Sequence, residues 1–71
     1  MKLPRDVTGD EAVRAFQRIG FRILRQRGSH VQMTDGSRHV TVPAHDAIRP
    51  GTLKSMLRQA GMSVDEFVEQ L

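Results

Sequence analysis

His30-Val31-Gln32-Met33-Thr34-Asp35-Gly36-Ser37-Arg38-His39-Val40-Thr41-Val42 holds two alternating runs around a turn signal. In the first run Val31 and Met33 fall on one side, and His30, Gln32 and Thr34 on the other. Arg38 to Val42 resumes the alternation with Val40 and Val42 apolar. A period of two marks a strand with one buried face, and Asp-Gly is a favoured two-residue hairpin loop. Pro43 ends the second strand. With Asp35-Gly36 as the loop, Thr34 faces Ser37, Val31 faces Val40 and His30 faces Thr41. Directly opposed residues share a face. Val31 and Val40 are therefore expected beneath a helical layer, with His30, Gln32, His39 and Thr41 together on an open face.

Outward from this hairpin, Gly28-Ser29 separates His30 from an earlier strand, Phe21 to Arg27, whose alternation is broken by the adjacent Ile23 and Leu24. Further back, Thr8-Gly9-Asp10-Glu11 has the form of a capping box, in which a threonine hydroxyl and a glutamate three residues on satisfy each other's backbone N–H groups. Ala12, Val13, Phe16 and Ile19 then recur at helical spacing until Gly20, with Leu3 and Val7 before them as a short flap. On the other side of the hairpin, Pro43 to Pro50 reads as a loop. Pro50-Gly51-Thr52 opens a helix carrying Leu53, Met56, Leu57 and Ala60, which Gly61 ends. Ser63-Val64-Asp65-Glu66 is a second capping box before a short helix with Phe67, Val68 and Leu71. The order α-β-β-β-α-α describes one α+β domain over 1–71, a three-stranded antiparallel sheet with helices packed on one face.

The composition narrows what such a domain does. A 71-residue chain has room for one modest core and is expected to be only marginally stable. It has no cysteine, which excludes disulfides and thiolate zinc sites and fits a reducing cytoplasm. No apolar run approaches a membrane span and the N-terminus lacks a signal-peptide core, so a soluble, cytoplasmic protein without membrane contact is expected. The net charge of +3 is unevenly spread: residues 14–58 hold nine Lys/Arg against Asp35 and Asp46, or +7, between acidic ends. Such a centre is a footprint for a polyanion, or simply a solvated surface. The three Phe all fall at core positions and there is no Trp or Tyr, so no platform for base stacking is expected. Contact with nucleic acid would then run through phosphates and sugars, with weak base preference.

Four separate motifs, in order, resemble the HicA family of toxins. They are Gly20-Phe21, Arg25-Gln26-Arg27-Gly28-Ser29-His30, Val42-Pro43-Ala44-His45, and the stretch from Gly51 to Gly61, with Lys2-Leu3-Pro4 and Ser63 to Phe67 fitting at the two ends. The resemblance implies a fold like a double-stranded-RNA-binding domain, an endoribonuclease activity on mRNA, and a HicB antitoxin, usually encoded beside the toxin, that binds and blocks it. It places the family's catalytic histidine at His30. One position departs: relatives often carry Gly and Lys after the Pro-x-His, where Asp46 and Ala47 stand here.

The residues themselves support this chemistry in part. RNA cleavage without a metal or other cofactor needs a base for the 2′-OH proton, and imidazole changes protonation near neutrality. His30 also reads as an ordinary polar residue on a sheet face. Gly28 frees the turn to adopt an unusual φ and admits a phosphate near the backbone. Ser29 can donate to a phosphate oxygen or serve the turn alone. Arg25 and Arg27 share one strand face beside the turn and are the leading phosphate contacts. Lys54 stands in the first turn of a helix, where its charge opposes the dipole, which points to a binding role; Arg38 is a weaker candidate. His39 and His45 are auxiliary candidates for protonating the leaving oxygen. The three histidines match no zinc spacing, so no metal is expected. A non-catalytic RNA-binding module and a pure protein-interaction domain remain as competing readings.

Overall fold

The computed structural model describes residues 2–44 and 47–71; His45 and Asp46, with the auxiliary role considered for that histidine, lie outside the described residues. The elements are α1 (Gly9–Ile19), β1 (Arg22–Arg27), β2 (His30–Thr34), β3 (His39–Pro43), α2 (Pro50–Ala60) and α3 (Val64–Val68). The strands form one antiparallel sheet in the order β1-β2-β3, so the fold is α-β-β-β-α-α with an open sheet, consistent with a double-stranded-RNA-binding-domain-like architecture.

Both capping boxes are present. Glu11 N–H donates to Thr8 Oγ1 at 3.2 Å while Thr8 N–H donates to Glu11 Oε1 at 2.9 Å, and Ser63 and Glu66 repeat the exchange. These boxes satisfy backbone donors that a helix start leaves without intrahelical partners. Gly20 and Gly61 close α1 and α2 in the left-handed conformation. Gly9 is required for a different reason: a Cβ there would collide with the Pro43 carbonyl oxygen and Ala44 Cα, so α1 starts directly on the end of β3. The flap is tied down beside it, with Val7 buried and its carbonyl accepting from Ile48 N–H at 2.6 Å.

The core lies between the helices and the inner face of β2 and β3. Val31, Met33, Val40 and Val42 meet Phe16, Leu53, Met56, Leu57 and Phe67, all buried. Phe16 is the hub, with ring centroids 5.3 Å from Phe21 and 5.4 Å from Phe67. Arg18 adds a tie between the ends of α1 and the chain, donating to the Gln70 carbonyl.

The hairpin differs from the expected register by two residues. Val31 pairs with Val42, Met33 with Val40, His30 with Pro43 and Thr34 with His39. The loop is four residues, Asp35 to Arg38, because side chains hold it open. Asp35 Oδ1 accepts from Ser37 N–H at 2.8 Å and Arg38 N–H at 2.7 Å, while Thr34 Oγ1 donates to the Arg38 carbonyl at 2.7 Å and accepts from Gly36 N–H at 3.0 Å. β3 ends at Pro43, which is its last residue. An even shift preserves the faces, so Val31 and Val40 are buried while His30, His39 and Thr41 are exposed and Gln32 is half-buried.

Candidate nucleic-acid interface

Gly28 and Ser29 form a two-residue connection between the paired residues Arg27 and His30. Gly28 has φ +57°, the positive value that such a tight loop requires at its first position and that glycine adopts without steric cost. The turn is fastened on both sides: Gln26 Nε2 donates to the Gly28 carbonyl at 3.1 Å, and Ala44 N–H donates to the Ser29 carbonyl at 2.6 Å. His30 thereby opens β2 at a fixed point of the sheet with its side chain exposed.

The sheet pairing arranges the outer face in rows, since residues opposed across strands share a side. Arg27, His30 and Pro43 form the first row, and Arg25, Gln32 and Thr41 the second. Arg25 Nε donates to Gln32 Oε1 at 3.3 Å, which lays the guanidinium across the second row. The expectation that Arg25 and Arg27 share a face beside the turn therefore holds in the geometry.

A third row was not legible from alternation alone. β1 contains a bulge at Leu24: Ile23 pairs with Met33 and Arg25 with Gln32, leaving Leu24 unpaired. Strict alternation would place Arg22 on the opposite side from Arg25 and Arg27; the extra residue changes the parity and puts Arg22 opposite Thr34, in a row with His39. The adjacent Ile23 and Leu24, which interrupt the sequence pattern, are the signal that could have revealed it. No carboxylate occupies any of the three rows.

The other candidates are distributed differently. His39 shares a row with Thr34, four residues along β2 from His30, or ~13 Å at ~3.3 Å per strand residue. The expected register would have set it diagonal to His30; the four-residue loop moves it to the far end. Arg38 lies in that same loop, bonded through Nη1 to the Gly61 carbonyl at 3.1 Å and paired with Asp35 at 3.4 Å, so its guanidinium braces the hairpin against the end of α2. Lys54 is exposed as the fifth residue of α2, just past the first turn in which it was expected, on the helical layer. A cleft of about 320 Å³ bounded by Arg5, Asp6, Ala47, Ile48, Arg49 and Pro50 does not include His30. Among the described residues no three histidine, cysteine or carboxylate side chains converge as a metal site needs, and no helix is long and apolar enough to cross a membrane.

Against known proteins, the family model described as the HicA toxin of bacterial toxin-antitoxin matches residues 9–62. That span runs from the start of α1 to just beyond the end of α2 and includes all three strands. No curated protein matches the chain.

Proposed function

From the premise that this chain belongs to the HicA family of toxins of bacterial toxin–antitoxin systems, we propose that it is an endoribonuclease that cleaves mRNA in the cytoplasm without a metal. His30 is its single catalytic histidine. The observation that carries this reading is the first row of the open face: an exposed His30 that opens β2 directly after a fastened glycine turn, opposite Arg27, with Arg25 in the next row.

His30 takes the proton of a ribose 2′-OH, and that oxygen attacks the adjacent phosphorus. The bond to the 5′-oxygen breaks, leaving a 2′,3′-cyclic phosphate on one strand and a 5′-hydroxyl on the other. The leaving oxygen takes up a proton from solvent or from the imidazolium just formed. Arg27 and Arg25 stabilise the charge that accumulates on the phosphoryl oxygens, and the Gly28-Ser29 turn allows the phosphate to approach the backbone. Removing a general base typically costs ~10²–10⁴-fold in rate.

Purified protein incubated with RNA in EDTA should generate ends bearing 2′,3′-cyclic phosphate, and His30→Ala should slow this by at least ~10²-fold with unchanged circular dichroism. Intact RNA at every protein concentration counts against catalysis. The distance of His39 from His30 favours one alternative, a non-catalytic RNA-binding module of the same fold, for which His30→Ala would leave both RNA affinity and growth inhibition intact. Membership of a toxin–antitoxin family implies an antitoxin partner. We identify it as a HicB-like protein that covers the basic face with acidic groups and occludes His30.

A further inference from the structure

The outer face of β1 carries more than the two arginines beside the turn. Because the bulge at Leu24 reverses the parity of the strand's first half, Arg22, Arg25 and Arg27 all project on the side of His30, in three successive rows. All six residues of β1 are exposed. The rows of Arg27 and Arg22 are four β2 residues apart, or ~13 Å, and none of the residues in them is acidic. Such a line of guanidiniums matches an extended chain of phosphates better than one isolated anion, because each fork takes a separate phosphate oxygen pair.

We propose that β1 is a phosphate-binding track along which a single ribose-phosphate strand runs away from His30, with Arg22 as its far contact. The inference rests on the ribonuclease reading above and extends it: the bulge is the device that recruits Arg22, and substrate contact continues beyond the reacting phosphate along this one edge. No Phe, Tyr or Trp lies in the three rows, so the track holds chiefly the backbone, with weak base preference.

The test uses the His30→Ala protein, which holds RNA without cutting it, and a fluorescein-labelled single-stranded RNA read by anisotropy across a salt series. Arg22→Ala should weaken binding several-fold and lower the slope of log K against log salt by ~0.7, the value for one phosphate contact on a single strand. Arg22→Lys should retain most of both. The decisive variant is the exchange R22I/I23R, which keeps composition and net charge but moves the cation to the other side of β1. It should bind as weakly as Arg22→Ala. Arg14→Ala, on the exposed side of α1, should bind like the parent. Parental binding by both R22I/I23R and Arg22→Ala overturns the track, and parental binding by the exchange alone shows that charge rather than face matters, which overturns it too. A His30→Ala parent that binds no RNA at any salt concentration instead removes the ribonuclease reading itself. Thermal melts of each variant confirm that folded protein is being compared.

Discussion

The Asp35 carboxylate accepts from the backbone N–H groups of Arg38 and Ser37 and lies beside the Arg38 guanidinium, and these together hold its carboxyl below the usual carboxylate range. A lowered folded-state pKa contributes stability that is present above the unfolded pKa and lost as pH falls through the folded one. Asp35→Asn should therefore melt below the unaltered chain at neutral pH, with the difference shrinking as pH is lowered through the acid range. A gap that is constant with pH would contradict this. Asp35→Ala also removes the side-chain acceptor of the Ser37 and Arg38 backbone N–H groups, so it should disturb the β2–β3 loop itself, visible as altered amide shifts at Thr34 and His39. Glu11 is held below the usual range in the same direction by the Thr8 backbone N–H and then the Thr8 hydroxyl, so the start of α1 also weakens in acid.

At the scale of elements, β1 is the unusual one. α1 and α2 pack against β3, and β1 is an edge strand with Ile23 46% and Leu24 47% exposed. An open edge invites pairing with another chain, and charges and bulges are the usual deterrents. Here the three arginines and the bulge at Leu24 supply both, in the residues that also face the proposed substrate. Replacing Arg25 and Arg27 together by valine keeps strand propensity while removing the repulsion. That variant should sediment as larger species than the unaltered chain at equal concentration; identical sedimentation would show that the bulge suffices. RNA affinity should fall in the same protein.

For the whole molecule, stability rests on one small core. A chain of this length is expected to have roughly 4–10 kcal/mol in total. Phe16 joins α1, the strand entry at Phe21 and α3, and is fully buried. Truncating such a residue typically costs ~3–5 kcal/mol. Phe16→Ala should lower the urea midpoint by a third or more of its value, or leave the chain unfolded in water; a smaller change would mean that the three rings do not act as one core. An antitoxin that binds only the folded form would raise the midpoint with the logarithm of its concentration once that exceeds Kd.

Most of the architecture was legible along the chain because it is set locally. The capping boxes at Thr8 and Ser63, the stops at Gly20 and Gly61, and the alternation in β2 and β3 each depend on residues within a few positions of one another. The exposed side of His30 followed from the same alternation, and an even register shift left it unchanged. Two features required the folded molecule. Asp35 and Thr34 hold a longer loop than Asp-Gly alone implies, which carries His39 away from His30. The bulge at Leu24 turns Arg22 toward the open face. Both depend on how one strand pairs with its neighbour, and such pairing is a contest between side-chain hydrogen bonds and burial that is decided only when the strands meet.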